Sequence, residues 1–514
     1  MQTYHVENFG CRATQADGAA LEQQFQARGL APASAHEAGI VVLNTCTVTS
    51  SADRDARAAI RRVQRQNPLA KIIVTGCYAQ RAPQEIASLP GITAVVGNSH
   101  KQQLAALVLN EPVAKELPLN ELVLDENFID RDEISATSRS SAFVPLNALT
   151  SPSPKPEARL FVSDIFAHTQ LQAAPVFDLG LHDLGLDALG LPDLENSASR
   201  DSASPAGPRQ TDRTRPNLKI QDGCDNRCSF CIIPSVRGSS RSLRPEDVLR
   251  EINALVGAGY GEVVISGINL GRWGRDLDPR SGVSDSPFEA LLRSILDKTQ
   301  LQKLRISSVE PMDWSRDLIA LVASSPRIAK HAHVPLQSGS DSVLRRMHRK
   351  YRPWHYREKI ESIRAAMPTA AIGADVMTGF PGETDAEFES TRRLIADLPF
   401  TYLHVFTYSA RPGTAAAALP AQVPIPIARD RNQILRGLAA EKKSAFLRSL
   451  VGKTLDAITL GATHRSREGD FTEALTDNYQ KLYLPGNHQA NRWVTARIRA
   501  SQDELLFGDL QPAN

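Results

Sequence analysis

The sequence has no long apolar run and no signal segment at its start. None of its 514 residues lies in an uninterrupted apolar stretch near the ~18 residues needed to cross a bilayer. The opening residues, MQTYHVENFGCRATQ, lack a charged region followed by an apolar one. These absences predict a cytoplasmic protein with no membrane partner.

The chain also lacks a large excess of charge and has few cysteines. Its formal net charge is +2, so any surface that binds nucleic acid or membrane must be local. It has six cysteines, and in a reducing compartment these are more often metal-binding or catalytic than disulfide-bonded. A lone cysteine is usually a small buried apolar residue, but packing alone does not explain how these six are placed.

Residues 1–112 alternate strand-like and helix-like patterns. Four apolar runs, YHVENFG, GIVVLNTC, KIIVTGC and ITAVVGN, are separated by helical segments, which predicts a parallel sheet with flanking helices. Cys11, Cys46 and Cys77 stand at or just after the ends of the first three runs. The carboxyl ends of parallel strands meet at one sheet edge, where ligands bind. We therefore expect these three cysteines to form one cluster.

Residues 113–213 differ in composition from the flanking segments. ALTSPSPKPEA is rich in Ser and Pro, and ENSASRDSASPAGPRQTDRTRP is polar. Between them, FDLGLHDLGLDALGLPDL carries interior glycines that disfavour a helix, and no partner strand is evident for it. We predict that most of this region is a flexible insertion or linker, with a transient docking motif as the less favoured alternative.

Residues 214–448 begin a second alternation of strands and helices. Six strand-like runs, from NLKIQD to TYLHVFTYS, predict a partial or complete α/β barrel with its active face at the strand ends. A long helical pattern, IARDRNQILRGLAAEKKSAFLRSLVG, follows, and residues 449–514 contain short strand-like runs that suit a small β-barrel. The predicted fold class is therefore α/β, with an N-terminal parallel-sheet domain, a central partial (β/α)6 barrel and a C-terminal β-barrel.

The stretch KIQDGCDNRCSFCIIP holds Cys224, Cys228 and Cys231 within eight residues. A structural zinc site wants four ligands, so zinc would need a distant histidine such as His331 or His404. A [4Fe–4S] cluster has four iron corners, and three cysteines would leave one iron open to bind another molecule. We favour the cluster and keep the zinc site as the alternative.

This C-x3-C-x2-C motif, after the first strand of a six-unit α/β chain, resembles the radical S-adenosylmethionine (SAM) superfamily. A three-cysteine domain before it and a β-barrel after it resemble the methylthiotransferases, in which the barrel is called a TRAM domain. FGCRATQAD, NTCTVT, TGCYAQ and IQDGCDNRCSFCIIP are similar to the MtaB branch, which acts on N6-threonylcarbamoyladenosine at position 37 of tRNA. The sequence has neither the GCQMN and NTCSIR typical of the MiaB branch nor the GCPKN and NTCGF typical of the RimO branch.

The resemblance implies a set of cofactors and partners. Two [4Fe–4S] clusters are implied, one on Cys11, Cys46 and Cys77 and a catalytic one on Cys224, Cys228 and Cys231. Sulfur would be handled at the first cluster and methylated by one SAM, while a second SAM, cleaved at the other cluster, would supply the radical that removes the adenine C2 hydrogen. The implied partners are tRNA, a sulfur donor and an electron donor such as flavodoxin or ferredoxin.

The candidate SAM ligands are Ser266, Gly267, Asn269, Glu310, Gln337 and Asp375. In ISGINLG, the glycine would let the backbone approach SAM and its neighbours could bond to it, although a plain β–α turn would look the same. Glu310 resembles a family position near SAM, and a carboxylate at a helix start fits about equally well. The stretches HVPLQSGSD and DVMTGFPGET match the family and place Gln337 and Asp375 at or near strand ends.

The most basic stretch is DSVLRRMHRKYRPWHYREKIESIRAA, with eight Lys and Arg against three acids and with interleaved aromatic residues. Cations for phosphates and aromatic rings for stacking suit an RNA surface, although most charge runs are solvated helix faces. We predict tRNA contacts at Arg345, Arg346, Arg349, Lys350, Tyr351 and Arg352.

Two other functions stay open at this point. The same chemistry could act on isopentenyladenosine in tRNA, as in the MiaB branch. Alternatively, the chain could be a non-catalytic RNA-binding protein whose iron–sulfur clusters are structural or sense redox state.

Overall fold

The computed structural model describes residues 2–111, 158–168, 171, 176–177, 215–277, 286–466 and 469–511. None of the helices in these ranges is long and apolar enough to cross a membrane. Residues 112–157 and most of residues 169–214, which carry the Ser/Pro-rich, Leu-Gly-Leu and polar segments of the predicted insertion, lie outside the described ranges.

The N-terminal region is a six-stranded parallel sheet in the order β2-β1-β3-β4-β5-β6. Its strands are β1 (Thr3–Asn8), β2 (Ala31–Pro32), β3 (Ile40–Thr45), β4 (Lys71–Gly76), β5 (Ile92–Val96) and β6 (Arg159–Phe161). Its helices are α1 (Arg12–Gln26), α2 (Ser50–Gln66), α3 (Cys77–Arg81), α4 (Pro83–Ala87) and α5 (Leu104–Leu109). The four predicted strands of this region are therefore present as β1, β3, β4 and β5.

Helices cover both faces of this sheet, because the central strands have apolar side chains at nearly every position and so present apolar residues to both faces. On β3, Val41 and Leu43 pack with Ile60 of α2, whereas Ile40 and Val42 pack on the opposite face in the cluster that contains Phe25 of α1. Alternating side chains point to opposite faces of a strand, so a continuous apolar run buries both. The sheet is thereby fixed with its carboxyl edge open.

The predicted insertion contributes two short strands to the fold. Residues of β6 pair in parallel with β5, and β7 (Val176–Phe177) pairs antiparallel with β8 of the core. These strands could not be predicted from the sequence, because segments of two and three residues are too short to show a periodic pattern.

The core contains six parallel strands. They are β8 (Pro216–Asp222), β10 (Glu262–Gly267), β11 (Lys303–Ile306), β12 (His331–His333), β13 (Ala371–Thr378) and β14 (Tyr402–Thr407), with a short β9 (Arg241–Ser242) antiparallel to β8. The first three and the last three pair in parallel, and a bridge between Ser308 and His333 joins the two sets. In the described residues β8 and β14 are not paired. The core is therefore a partial (β/α)6 barrel, as predicted.

Helices cover the outside of this barrel. They are α6 (Ile233–Arg237), α7 (Pro245–Gly257), α8 (Pro287–Lys298), α9 (Arg316–Ser324), α10 (Asp341–Arg346), α11 (Pro353–Ala366), α12 (Asp385–Asp397) and the 26-residue α13 (Ile425–Leu450). The start of α12 has a capping box, in which Thr384 and Glu387 satisfy each other's backbone N–H groups.

The C-terminal region is a closed five-stranded barrel in the order β15-β16-β17-β19-β18. Its strands are β15 (Thr454–Ser466), β16 (Gly469–Thr476), β17 (Lys481–Pro485), β18 (Trp493–Gln502) and β19 (Leu505–Leu510), which confirms the predicted small β-barrel. The turn between β16 and β17 contacts the core, where Arg305 Nη1 donates to the Asp477 carbonyl at 3.0 Å and Asn478 donates to the Thr369 carbonyl at 2.8 Å.

Candidate active site

Cys11, Cys46 and Cys77 follow the carboxyl ends of β1, β3 and β4. Gly10 has φ +99°, and a Cβ built there would lie 2.5 Å from the Cys46 Cβ, so the backbone before Cys11 packs directly against Cys46. Burial, followed by the nearby Cys11 and Cys77 thiols, raises the pKa of Cys46 to about 12. The structure thus brings these three thiols together at one sheet edge, with Cys46 and Cys77 buried and Cys11 exposed.

Cys224, Cys228 and Cys231 lie in the loop between β8 and α6. Backbone hydrogen bonds shape this loop, from Cys224 N to the Gly238 carbonyl at 3.0 Å and from Cys231 N to the Cys228 carbonyl at 3.1 Å. Ser229 anchors it to the end of α10, since its Oγ donates to the Arg346 carbonyl at 2.7 Å. Burial, followed by the neighbouring thiols, raises the pKa of Cys231 to about 12.

The placement of the six cysteines in two groups of three fits metal-cluster ligands better than it fits six isolated thiols. Burial raises the pKa values of Cys46 and Cys231 and so opposes ionisation of these thiols. Metal ligation requires thiolates, and iron bound to them offsets the cost of ionising them in a buried site. Each set offers three of the four ligands that a [4Fe–4S] cluster takes.

One cavity of about 600 Å³ joins the two triplets. Cys11 lines it from the N-terminal sheet, and Cys224, Cys228 and Cys231 line it from the core. Tyr479 lines it from the C-terminal barrel. All three regions of the chain therefore meet at a single chamber.

The six candidate SAM ligands all line this cavity. Ser266 Oγ, Asn269 Oδ1 and Gln337 Oε1 are buried and have no hydrogen-bond partner among the described residues. Buried polar atoms are nearly always paired, so three orphaned acceptors or donors facing one chamber indicate a polar ligand. The amino, carboxylate and hydroxyl groups of SAM fit this requirement, and Asn269 Nδ2 lies 3.6 Å from Cys224 Sγ, beside the second triplet.

Glu310 forms an ion pair with Arg349, whose Nη1 lies 3.3 Å from Cys228 Sγ. Burial raises the pKa of Glu310 although Arg349 opposes the shift. Asp375 lies beside His333, with 3.4 Å between Asp375 Oδ1 and His333 Nε2. Burial would raise the pKa of Asp375, but His333 holds that pKa below its ordinary value.

Two of the predicted RNA contacts are wrong. Arg349 is 8% exposed and faces Cys228 and Glu310, while Tyr351 is 1% exposed with its hydroxyl 2.7 Å from the Leu336 carbonyl. Arg346 and Arg352 are half-buried and paired with Glu387 and Asp341. Arg345 and Lys350 are exposed. The error arose because a count of charges along the sequence does not show which of them the turn between α10 and α11 directs inward.

A buried ion network, which the sequence did not predict, lies between the two cysteine-bearing regions. Asp17 of α1 accepts from Lys101 Nζ at 3.0 Å and from Arg237 Nη2 at 3.0 Å, and it forms a further ion pair with Lys219. Arg237 and Lys219 also contact Asp222, at 3.0 and 2.9 Å. These residues are separated by up to 220 positions, so no local pattern could reveal the network.

Arg12, Tyr402 and Tyr479 are further residues of the cavity that were not selected from the sequence, and His331 was named there only as a possible zinc ligand. Arg12 directly follows Cys11, which was the one available signal for it. The tyrosines come from β14 and from the turn after β16, and nothing in their local sequence indicates that they share a site.

Comparison with known proteins gives matches to both cysteine-bearing regions. Residues 3–97 match a family described as the uncharacterized protein family UPF0004, and residues 218–395 match the radical SAM superfamily. The second match and the partial (β/α)6 barrel make the core that of a radical SAM enzyme. Membership of this class implies SAM and an iron–sulfur cluster.

Relatives that align along nearly the whole chain show which kind of radical SAM enzyme this is. The chain is 32% identical over 488 residues to the threonylcarbamoyladenosine tRNA methylthiotransferase MtaB of Bacillus subtilis, covering 95% of this chain and 91% of that protein. It is 27% identical over 517 residues to a tRNA-2-methylthio-N(6)-dimethylallyladenosine synthase of Moorella thermoacetica, covering 99% and 98%. The chain therefore belongs to the MtaB family of radical SAM methylthiotransferases.

A solved structure is also similar. It is the radical S-adenosylmethionine methyltransferase TsrM of Kitasatospora setae, with cobalamin and a [4Fe–4S] cluster bound, which matches at 15% identity and a TM-score of 0.49. The match covers 81% of this chain and 74% of TsrM.

Proposed function

We propose that this enzyme adds a methylthio group to C2 of N6-threonylcarbamoyladenosine at position 37 of tRNA. The observation that carries the proposal is the shared cavity, in which Cys11 of one triplet and all of Cys224, Cys228 and Cys231 face one chamber. A reaction that must deliver sulfur and activate a C–H bond at the same carbon needs both sites within reach of one substrate. The threonylcarbamoyl substrate is taken from the MtaB relative.

Two [4Fe–4S] clusters are part of the proposal. Cys11, Cys46 and Cys77 would hold one, and Cys224, Cys228 and Cys231 the other. When bound, the clusters and SAM supply the electron transfer, the methyl group and the radical chemistry, which the protein does not supply itself. The chain's own residues orient these groups.

The orphaned polar atoms of Ser266, Asn269 and Gln337 would bind SAM, together with the backbone at Gly267 and the carboxylates of Glu310 and Asp375. Arg349, between Glu310 and Cys228, would position one of these carboxylates next to the second triplet. An electron donor such as flavodoxin or ferredoxin and a separate sulfur donor complete the proposed set of partners.

The regions take separate roles in this proposal. Residues 1–112 handle sulfur, residues 214–448 bind and cleave SAM, and the barrel in residues 449–514 contacts tRNA. Arg345 and Lys350, which are exposed, are the remaining candidates for phosphate contacts from the basic stretch. Because tRNA is the proposed substrate, we also propose a cytoplasmic location.

Mass spectrometry of tRNA nucleosides, from cells with and without the gene, tests the substrate. We expect the 2-methylthio form of threonylcarbamoyladenosine to disappear and its precursor to accumulate. Wild-type enzyme supplied from a plasmid should restore it, and a Cys228→Ala variant should not. Loss of the 2-methylthio dimethylallyladenosine signal instead would overturn the substrate and leave the class of reaction intact.

A further inference from the structure

Five aromatic side chains form one wall of the cavity, and we call them the aromatic wall. Their members are His331, His333, Tyr402, His404 and Tyr479. His331 and Tyr402 lie parallel, with ring centroids 6.0 Å apart, and His331 and Tyr479 have centroids 4.9 Å apart. Stacked rings of this kind bind nucleobases, and a base presented for chemistry must be drawn out of its stack.

Arg12 lies at this wall. Its Nη2 donates to the Tyr479 hydroxyl at 3.1 Å, across 467 positions of the sequence. Tyr479 has φ +69°, a left-handed conformation that is strained for a residue with a side chain. Such strain persists where the surrounding structure requires it, and here it directs Tyr479 from the barrel turn into the cavity.

Charged side chains also lie at the aromatic wall. Arg305 forms an ion pair with the buried Glu262 and donates hydrogen bonds to carbonyls of the barrel turn. Asp375 lies beside His333. Burial, and then Arg305, lower the pKa of His331 well below its ordinary value, so this ring is neutral. Its Nε2 lies 2.7 Å from the Tyr402 hydroxyl. The guanidinium of Arg12 is the positive group that α1 brings to this wall.

The substrates in the names of the two relatives differ in the charge of the group on the adenine N6. A threonylcarbamoyl group ends in a carboxylate and a hydroxyl, whereas a dimethylallyl group is a hydrocarbon. Guanidinium groups bind carboxylates through paired hydrogen bonds and gain nothing from a hydrocarbon. A cation fixed by the aromatic wall therefore discriminates between them.

We propose that Arg12, oriented by Tyr479, binds the carboxylate of the substrate's N6 side chain while the aromatic wall receives the adenine. Arg12 is then a specificity-determining residue and Tyr479 a positioning residue. This inference rests on the proposed function, because it assigns the anionic group of that substrate to a site.

A binding cycle tests the pairing without relying on turnover. Two anticodon stem-loop RNAs are compared, one carrying threonylcarbamoyladenosine and the other its threonyl methyl ester, which removes the negative charge. Affinity for the reconstituted holoenzyme is measured by fluorescence anisotropy. For wild-type enzyme we expect the ester to bind about 10- to 100-fold more weakly, the usual cost of losing a charged hydrogen bond.

In Arg12→Gln the acid and the ester should bind within about 2-fold of each other, because the partner of the carboxylate is gone. Arg12→Lys should give an intermediate ratio, since one charge remains without the paired geometry. Arg61→Gln, an exposed arginine on α2, is the matched control and should keep the wild-type ratio. A wild-type ratio in Arg12→Gln would overturn the inference.

Tyr479→Phe provides a second variant, in case Arg12→Gln disturbs the cluster at the adjacent Cys11. Removing the hydroxyl should lower the acid-to-ester ratio several-fold while iron content stays at the wild-type level. An unchanged ratio with intact clusters would overturn the role of Tyr479.

The two proposals fail in different ways. If wild-type enzyme makes no methylthio product from the threonylcarbamoyl RNA, the proposed function is wrong and the inference falls with it. If the product forms but wild type binds acid and ester equally, or Arg12→Gln retains the full ratio, only the inference is wrong.

Discussion

Cys11, Cys46 and Cys77 stand at three strand ends that are 35 and 31 residues apart, whereas Cys224, Cys228 and Cys231 share one eight-residue loop. The first triplet is assembled by a sheet: its members come together because β1, β3 and β4 are parallel neighbours. The second triplet is close in sequence and depends on hydrogen bonds that hold its loop in shape.

The comparison shows two routes to the same number of thiols. A dispersed site is as stable as the sheet that builds it, because the strands have already met the entropic cost of bringing distant residues together. A local site needs little of the fold to bring its ligands near one another, but its loop has to be fixed by neighbours. In this chain the buried ion network then links α1, next to Cys11, to β8, next to Cys224.

The largest expected effect separates the chemistry of the two triplets. Cys228→Ala should abolish cleavage of SAM, whereas Cys46→Ala should retain SAM cleavage and lose the methylthio product. Each variant should hold about four iron atoms fewer per chain than wild type. Iron and sulfide analysis and the yield of 5′-deoxyadenosine measure this, and each variant serves as the control for the other. A Cys46→Ala enzyme with undiminished iron would contradict a cluster on the first triplet.

The two routes also explain how well the sequence predicts each site. The second triplet is visible in its spacing alone. The first could be predicted from the order of apolar runs, because parallel strands align their carboxyl ends whatever the length of the helices between them. The alternation of strand-like and helix-like runs predicted the partial barrel, and the short strand-like runs of residues 449–514 predicted the C-terminal barrel.

What the sequence did not predict depends on distant contacts. Arg349 looked like part of a basic surface, yet its partner Glu310 is 39 residues away and turns it inward. The pairing of Arg12 with Tyr479 crosses from the first helix to the last domain. Side-chain pairing across domains leaves no periodic signal, so only the folded structure reveals it.

A second prediction concerns the buried ion network that connects the regions carrying the two triplets. Arg237→Met removes donors from Asp17 and from Asp222, both buried, and should destabilise the protein by about 4 kcal/mol. Urea denaturation followed by circular dichroism measures the change, and any iron bound at either triplet should be released faster. Arg244→Met is the matched control: its ion pair with Asp247 is on the surface, so we expect no measurable change. A stable Arg237→Met enzyme would show that the triplets are held independently.

A third prediction affects only the sheet-built triplet. Gly76 precedes Cys77 with φ +98°, and a Cβ there would lie 2.3 Å from the Thr45 carbonyl oxygen. Gly76→Ala should therefore cost about 2 to 3 kcal/mol and release iron from the first site, with SAM cleavage retained. Gly29→Ala is the control, because Gly29 has φ +77° but no atom within 4 Å of the added Cβ. An equal loss of stability in the two variants would mean that the positive φ, and not the contact of the added Cβ with β3, causes the effect of Gly76→Ala.

The smallest expected effect loosens only the loop-built triplet. Ser229 is bonded to the Arg346 carbonyl, and the Arg346 side chain is held by both oxygens of Glu387, at 2.9 Å each. Burial alone would raise the pKa of Glu387, but hydrogen bonds from Arg346, Ser342 and the Thr384 backbone outweigh it and lower that pKa from 4.5 to about 2. The ionised carboxylate therefore stabilises the folded state, fully above about pH 5 and progressively less as the pH falls through 4.5 towards 2.

Glu387→Gln should consequently be less stable than wild type by about 1 to 2 kcal/mol at pH 7, with the difference shrinking below pH 4.5. Urea midpoints for both proteins between pH 7 and pH 3.5 measure it, and iron release at pH 7 should quicken at the second site only. Asp397→Asn, at an exposed position of the same helix with a surface ion pair to Arg357, should change neither quantity. A pH-independent difference would mean that Glu387 acts through packing, and faster iron loss from the first site would mean that the two triplets share this anchor.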